Sequence, residues 1–284
     1  MSMRGPVPAE PPAELVYRHK VSLIAGFREG WRSRRIMWAL AERQLRARYK
    51  QSFLGFAWAL ITPLALMVAF TLLFDRVADI DTSGAPYALF SYLGLLPWTF
   101  FAGSLNSGSA SLLFGNQALL TKIPIAREVF PLSSIALATV DSGLALVALG
   151  VLFGALTYMP HIQALWIPVL FTIQMLFTVG CVLGLSVVVT YIRDVRQALP
   201  LILQFGLFVT PVAYGLEVVP SAIRPFYCFL NPLGPVIDGY RRTVLHGQSP
   251  QFDLLAIGAA GALCFFFGGF WVFKKLEPGI ADVS

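Results

Sequence analysis

Charged residues are scarce in this chain of 284 residues, since Asp, Glu, Lys and Arg together make up only 13% of it. A soluble domain carries about 25% charged residues, which keep its surface hydrated. Hydrophobic residues reach 57%, and the mean hydropathy is +0.71. This balance argues against a soluble enzyme and against a disordered chain, and it predicts an integral membrane protein.

The sequence also lacks the common metal, redox and nucleotide motifs. Its three cysteines and three histidines are scattered, and neither CxxC nor HxxxH spacing occurs, which argues against metal and disulfide sites. The phosphate-binding pattern GxxxxGK[ST] is missing, so any ATP would have to be bound by another chain. The first 30 residues contain no apolar run of the signal-peptide type, and we expect the N-terminus to stay in the cytoplasm.

What the sequence does contain is long apolar stretches, which predict six spans of a membrane about 30 Å thick. The predicted spans are 53–74, 89–113, 129–158, 166–191, 199–214 and 254–273. Between the last two, prolines divide residues 215–253 into pieces too short to cross. That segment predicts short re-entrant helices, and a loop on the outer surface is the alternative. The expected fold class is therefore an all-α integral membrane protein.

The region before the first span is basic and aromatic. Within residues 27–52, Trp31 and Trp38 fall near one stripe of a helix while arginines lie elsewhere around it, which predicts an amphipathic helix in the membrane interface. Packing of that helix on a protein partner is the alternative. The predicted organisation is a flexible cytoplasmic tail, the interface helix, a transmembrane domain and a second cytoplasmic tail, at 1–26, 27–52, 53–274 and 275–284.

The net charge of +6 follows from the predicted topology. With six spans, 17 of the 21 basic residues fall on the side of the N-terminus. Because short cytoplasmic loops carry an excess of Lys and Arg, both termini are predicted to be cytoplasmic. The charge then needs no nucleic-acid partner to explain it.

Several segments resemble the ABC-2-type permeases that export polysaccharides. The resemblance rests on their order and spacing along roughly residues 38–275: RARYKQSFLGFAW at 46–58, GLLPWTFF at 94–101, the loops at 116–128 and 193–194, NPL at 231–233 and DGYR at 238–241. Each motif is weak alone, but together they are specific.

The resemblance implies a half-transporter rather than an enzyme. Two copies of such a permease form a channel, and two copies of a separate ABC ATPase, which binds ATP and Mg²⁺, drive it. The permease itself binds no cofactor. The implied cargo is a lipid-linked glycan such as O-antigen of lipopolysaccharide, capsule or teichoic acid, and the implied location is the bacterial cytoplasmic (inner) membrane.

Two groups of residues are predicted to act at the cytoplasmic face. The loop before the third span is expected to couple to the ATPase, and an ordinary connecting turn is the alternative. The coupling residues are Asn116, Gln117, Lys122, Arg127 and Glu128. The basic end of the interface helix is expected to contact the ATPase or the phosphate of the entering substrate, and headgroup anchoring is the alternative. The entry residues are Arg46, Arg48, Tyr49 and Lys50.

Further residues are predicted along the path. Asp141 is the one acid deep inside a predicted span, so it should face protein, either in the path or in a structural hydrogen bond. Aromatic faces suit a sliding sugar chain, although lipid contact or core packing would also explain them. The predicted channel lining is Trp58, Phe70, Phe74, Asp141, Phe205, Phe208 and Tyr214. An exit gate is predicted at Glu217, Asp238, Arg241 and Arg242, with a solvated loop as the alternative.

Two glycine pairs, Gly150/Gly154 and Gly180/Gly184, have the spacing of close helix packing. We expect contacts between spans of one subunit, with dimerisation as the alternative. Among competing functions, a permease of the same fold for a lipid or drug is the nearest. A membrane glycosyltransferase needs clustered acids at a membrane face, and a secondary transporter needs more intramembrane charge than this sequence offers.

Overall fold

The computed structural model describes residues 33–50, 55, 57–75, 82, 84–112 and 126–280, and every regular element within them is helical. The helices are α1 (Arg34–Tyr49), α2 (Ala57–Phe70, continued by a π-helical turn at Thr71–Asp75), α3 (Tyr87–Ser109), α4 (Val129–Ala155), α5 (Ile167–Tyr191), α6 (Asp194–Val209), α7 (Arg224–Leu230), α8 (Leu233–Val244) and α9 (Phe252–Leu276). Short 3₁₀ turns lie at Ile162–Trp166, Leu216–Val218 and Glu277–Gly279.

Five helical segments in the described part are long and apolar enough to cross a membrane, which confirms an all-helical membrane protein. They are Ala57–Phe74, Tyr87–Ser109, Val129–Ala155, Ile162–Tyr191 and Phe252–Gly279. The predicted fifth span corresponds to α6, which has 16 residues and would extend about 24 Å. It starts earlier than predicted, at the charged Asp194, and ends before Pro211. Six passes therefore stay a prediction.

Helix α3 is the central element of the bundle. Most of its side chains are buried, and α2, α4, α5 and α8 all pack on it. Leu89, Tyr92 and Leu95 have no exposed surface, and the Tyr92 hydroxyl donates a hydrogen bond of 3.0 Å to the carbonyl of Ala145 on α4. This apolar helix thus holds the other spans in fixed positions around it.

The two glycine pairs have different surroundings. A Cβ on Gly180 or Gly269 would collide with backbone of the other helix, and Gly184 also lies beside Gly269, so α5 and α9 cross at backbone contact. The packing expected within one subunit is confirmed there. On α4, a Cβ added at Gly150 or Gly154 would meet nothing within 4 Å, so this pair faces open space in the described part.

The proline-rich segment after α6 forms two short helices, as predicted. Pro225 lies in the first turn of α7 and Pro235 in the first turn of α8, where a missing N–H costs no helical hydrogen bond. Helix α8 has 12 residues, too few to span, yet it is almost entirely buried against α3, α5 and α9. Short helices covered by protein are the form in which such a segment is stable at membrane depth.

Helix α1 packs on the bundle through one face. Leu40 and Ala41 are buried, and the Gln44 side-chain amide donates a 3.0 Å hydrogen bond to Ser133 Oγ on α4. Leu40 and Ile280 belong to one hydrophobic cluster, so both ends of the described chain lie at the same end of the bundle. We call this end the termini side. That shared position favours an even number of passes. Counting α6 together with the five longer segments would give six.

Candidate functional site

The predicted coupling residues fall partly outside the described residues. Asn116, Gln117 and Lys122 lie in the segment 113–125, which the described ranges exclude. Arg127 and Glu128 are described and lie at the start of α4. Only 1% of Glu128 is exposed, so this acid is not a solvated loop residue.

Glu128 is paired with the far end of the sequence. Lys274 Nζ donates a 3.1 Å hydrogen bond to Glu128 Oε2, lies 3.1 Å from Oε1, and donates a 3.0 Å bond to Glu277 Oε2. Arg127 Nη1 donates a 2.5 Å hydrogen bond to the backbone carbonyl of Glu277. Burial raises the pKa of Glu128, and the positive charge of Lys274 opposes that rise. We call these four residues the termini-side ion network.

The predicted entry residues lie at the C-terminal end of α1. Arg46 forms an exposed ion pair with Glu42, one helical turn away, at 2.5 Å. Lys50 follows the helix and is exposed. The side chains of Arg48 and Tyr49 lie outside the described residues. Helix α1 therefore presents at least two basic side chains to solvent or headgroups on the termini side.

A cavity of about 380 Å³ lies between α2, α3 and α4 and contains two of the predicted path residues, Trp58 and Asp141. Asp141 lies 12 residues into α4, which corresponds to about 18 Å along the helix. That depth is near the middle of a hydrocarbon layer about 30 Å thick. The remaining lining residues are Ala59, Thr62, Pro63, Thr99, Phe100, Ala138, Ser142 and Ala145. We call this the mid-depth cavity.

The mid-depth cavity combines a flat ring with hydrogen-bonding groups. Trp58 is 51% exposed, so much of its side chain is open. The Thr62 and Thr99 hydroxyls donate to carbonyls of their own helices, at 3.1 and 3.0 Å, and their oxygens keep acceptor capacity. A wide aromatic surface beside a carboxylate and hydroxyls is suited to a polyhydroxylated ring with apolar C–H faces.

The other predicted path residues do not reach this cavity in one copy of the chain. Phe70 is buried and meets Phe74 edge-on, with ring centroids 5.7 Å apart. Phe205 and Phe208 lie exposed on α6. The Tyr214 hydroxyl bonds to carbonyls at the end of α6.

All four predicted gate residues meet at a second cavity, of about 420 Å³, at the end of the bundle opposite the termini side. Its charged lining residues are Glu217, Asp238, Arg241 and Arg242. Polar side chains of Thr82, His246 and Gln248 complete much of the wall. We call this the opposite-side cavity.

Arg241 is the most constrained of these residues, with 2% of it exposed. Its guanidinium donates four hydrogen bonds of 2.5–3.0 Å to the backbone carbonyls of Phe90, Pro211, Val212 and Tyr214. It also lies 3.6 Å over the Phe90 ring. Arg241 therefore joins α8 to α3 and to the chain that leaves α6.

Asp238 lies one helical turn before Arg242 and is 7% exposed. Burial, together with the negative charge of Glu217, raises the pKa of Asp238 to about 6, although Arg242 and Arg241 oppose the rise. Within the described part of the chain, its carboxylate forms no ion pair at 4 Å or less. The opposite-side cavity thus holds an acid that titrates close to neutral pH.

Sequence reasoning missed the partners of the coupling residues and one buried polar pair. Lys274 counted only as a topology charge, and Glu277 lay in the predicted C-terminal tail. The i, i+3 spacing of these two residues was the available signal. Tyr240 donates a 3.1 Å hydrogen bond to Gln174 Oε1 inside the core. A lone glutamine in an apolar span gave the only indication of that contact.

Membrane-length apolar helices around a polar mid-depth cavity define a membrane transport protein. The sequence model of the family "ABC-2 type transporter" matches residues 35–245, which is most of the chain, and the chain belongs to this family.

Named relatives are similar along nearly their whole length. The O-antigen export system permease protein RfbA of Myxococcus xanthus is 28% identical over 261 residues, covering 92% of this chain and 99% of the relative. A protein of the same name from Klebsiella pneumoniae is 24% identical, covering 86% and 93%. The polysialic acid transport protein KpsM of Escherichia coli is also 24% identical, covering 85% and 93%.

Proposed function

We propose that this chain is the membrane permease of an ATP-driven exporter that moves a lipid-linked polysaccharide across the bacterial cytoplasmic membrane. The observation that carries the proposal is the mid-depth cavity, in which Trp58 and Asp141 face the same space. Secondary transporters bind their cargo near the bilayer midplane, which is the depth of this cavity, and we expect the same of this exporter. The named relatives, which are O-antigen and polysialic acid permeases, support the same cargo class.

The energy source would be a separate ATPase that holds ATP and Mg²⁺. Described loops and helix ends on the termini side supply a docking surface that includes Arg127 and the exposed basic end of α1. In this proposal both termini are cytoplasmic, and the segment 113–125, with its predicted residues Asn116, Gln117 and Lys122, contacts the ATPase.

Two copies of the permease would complete the path. Large apolar side chains lie exposed on α2 and α6, including Leu72, Leu73, Phe205 and Phe208. A second copy facing these helices would bring the aromatic residues of α6 to the edge of a shared channel, where they join Trp58. Glu217, Asp238 and Arg242 would then act at its outer exit.

The first test is purification of the tagged chain from native membranes. We expect an ABC ATPase to copurify in equal amount, and we expect the purified complex to hydrolyse ATP and to export a labelled glycan in the intact cell. A chain that purifies without any ATPase would contradict the proposal.

The second test asks whether the mid-depth cavity carries cargo. Trp58→Ala and Asp141→Asn are each expected to reduce glycan export about tenfold, because each removes a contact worth on the order of 1 kcal/mol or more. Trp271→Ala is the matched control, since Trp271 is 50% exposed on α9 and lies away from the cavity. Equal export by Trp58→Ala and Trp271→Ala would exclude the cavity from the path.

A lipid is the second candidate cargo, and a third cavity favours it. This cavity, of about 350 Å³, lies between α3, α4, α5 and α8 and is lined almost wholly by apolar side chains such as Leu96, Leu149, Phe153 and Phe171. Phe153→Trp, which places a larger ring in this cavity, should impair export if a hydrocarbon chain of the cargo is held there. An unchanged export rate would show that the cargo does not occupy this cavity.

A further inference from the structure

We propose that the mid-depth cavity and the apolar cavity beside it form one amphipathic site for a lipid-linked cargo. In this site the glycan end lies among Trp58 and Asp141, and the hydrocarbon chain of the lipid lies in the apolar cavity. The apolar cavity is the space of about 350 Å³ between α3, α4, α5 and α8. The inference rests on the proposed function and deepens it, because it gives the lipid part of the cargo its own place in the protein.

The first argument is that the two cavities share part of their walls. Phe100 on α3 and Ser142 on α4 line both of them. On α4, the lining changes from the carboxylate of Asp141 in the mid-depth cavity to the apolar side chain of Leu146 in the apolar cavity. This change takes place within about two turns of the helix. A molecule with a polar end and an apolar chain therefore matches both cavities at once.

The second argument is the chemistry of the apolar cavity. Its two largest polar side chains, Gln174 and Tyr240, are already hydrogen-bonded within the protein. The Tyr240 hydroxyl donates a 3.1 Å bond to Gln174 Oε1, and Gln174 Nε2 donates a 3.3 Å bond to the carbonyl of Pro97. Apolar cavities of this kind stay dry and bind apolar molecules, because water finds too few partners in them. A hydrocarbon chain suits this space, whereas a sugar does not.

The third argument is the length and the depth of the apolar cavity. Along α4 it extends from Ser142 to Phe153, which corresponds to about 16 Å. One leaflet of a hydrocarbon layer about 30 Å thick is about 15 Å deep. Pro160 and Ala164, in the connection from α4 to α5, also line the cavity and place it in the half of the bundle away from the termini side. One hydrocarbon chain parallel to α4 fits these dimensions.

The order of the two cavities favours a cargo lipid over a resident membrane lipid. A lipid in the leaflet on the termini side points its chain toward the opposite side. When its polar end reaches the depth of Asp141, its chain lies in the opposite half of the bilayer, where the apolar cavity is. A lipid of the opposite leaflet keeps its polar end at the surface and would leave the mid-depth cavity unused. The site therefore matches a lipid that enters from the termini side.

The chain also has a way in from the bilayer. Leu146 on α4 and Ile167 at the start of α5 line the apolar cavity, and they are 53% and 39% exposed. Gly150 lines it as well, and a Cβ added there would meet nothing within 4 Å. The cavity thus opens sideways between α4 and α5, so that a hydrocarbon chain can enter without passing through water.

The test is photolabelling of the complete chain in nanodiscs of phosphatidylcholine. The probe is dodecyl glucoside with a photoactivatable diazirine at the far end of its alkyl chain, and mass spectrometry locates the labelled residues. We expect labels on side chains that line the apolar cavity, such as Phe153 and Phe171. Gly150→Phe, which places a ring in that cavity, should reduce this labelling about tenfold. Trp58→Ala, at the polar end of the site, should reduce it about threefold.

Gly154→Phe is the matched control for the apolar end. Gly154 lies one turn further along α4 and also has open space beside it, but it does not line the apolar cavity. Its labelling should stay within about twofold of the wild type. Equal labelling of Gly150→Phe and Gly154→Phe would overturn the inference, and so would labelling that Trp58→Ala leaves unchanged. Equal labelling by a phosphatidylcholine with the same diazirine would also overturn it, because the cavity would then hold membrane lipid.

Failure of the proposed function would be seen separately, because the labelling needs no ATPase. A chain that copurifies with an ATPase and exports glycan, but is not labelled in the apolar cavity, would overturn this inference alone. A chain that is labelled there and binds no ATPase would refute the proposed function and would still support a site for an amphipathic molecule.

Discussion

Buried charges lie at both ends of the bundle, and the two ends satisfy them differently. On the termini side, Lys274 pairs with two carboxylates, and Arg127 adds a second positive charge beside Glu277. In the opposite-side cavity, Arg241 donates its hydrogen bonds to four backbone carbonyls. Asp238 there has no ion pair among the described residues. The first arrangement links two helices by charge, whereas the second fixes a loop and leaves an acid facing a cavity.

The difference has a physical reason. A guanidinium presents five donors in a planar fork and can satisfy several carbonyls at once, as the chain from Pro211 to Tyr214 requires where it leaves α6. An ammonium is a compact charge and needs acids nearby. The ion pair on the termini side therefore joins α4 to α9. On the opposite side, the hydrogen bonds of Arg241, which we call the Arg241 clamp, hold the chain that leaves α6.

Removing the Arg241 clamp should have the largest effect on the free energy of unfolding. Arg241→Met leaves four buried carbonyls without their donor, so we expect a loss of at least about 3 kcal/mol. At that cost the Tm of the purified protein in detergent should fall by roughly 6–12 °C. Arg242→Gln, which alters a neighbouring rim charge, should change stability by no more than about 0.5 kcal/mol. Equal Tm values for these two variants would mean that Arg241 stabilises the fold no more than Arg242 does.

The unpaired acid should make the stability of the protein depend on pH. The folded pKa of Asp238 is raised to about 6, whereas an unfolded aspartate titrates near 3.9. Its stabilising contribution is thus complete below about pH 4 and is lost as the pH rises to about 6, by up to about 3 kcal/mol. The Tm of the wild type should fall over this pH window relative to the Tm of the Asp238→Asn variant. A constant difference from pH 4.5 to 7.5 would contradict the burial of this carboxylate.

The next largest effect is expected at the crossing of α5 and α9, where the two backbones are in contact. Gly269→Ala places a methyl group against the backbone of Gly180, so α9 must shift at a cost of about 2 kcal/mol. Gly150→Ala on α4 meets open space and should cost nothing measurable. Chemical or thermal unfolding of the two variants measures the difference. Tolerance of alanine at Gly269 would mean that the helices are not in backbone contact.

The smallest effect is expected at the exposed pair on α1. Glu42→Gln removes an i, i+4 ion pair in which both side chains are largely exposed, and such pairs contribute less than about 0.5 kcal/mol. Its Tm should match that of the wild type at 150 mM salt. A large drop in Tm would contradict the weak contribution expected of an exposed ion pair.

The sequence predicted the membrane class and most of the spans because apolar length is a local property. The charged Asp194 and Lys274 lie near helix ends, and the prolines of residues 220–235 correctly predicted short helices. Helix α6 departed most from its predicted bounds, because charge at its start proved compatible with helix while Pro211 ended it early. Coupling residues Asn116, Gln117 and Lys122 lie outside the described residues and stay a prediction.

Predictions about single side chains succeeded less often, since they depend on distant partners. Trp58 shares a cavity with Asp141, but Phe70 lies in the core and Phe205 on an exposed face, although these three aromatic residues were grouped by residue type. Periodicity cannot tell which face of an apolar helix meets protein, because in a membrane every face is apolar. The roles of these residues in transport, and of the gate residues, remain proposals.

By itself the sequence determined that this is a multi-span membrane protein with a proline-broken segment before its last span. Composition and apolar length suffice for that, because hydrocarbon excludes charge and demands satisfied backbone. Only the tertiary structure decided that Glu128 pairs with Lys274, 146 residues away, and that Arg241 donates its hydrogen bonds to backbone carbonyls rather than to Asp238. Such pairings depend on how the helices pack in three dimensions, and no local pattern encodes them.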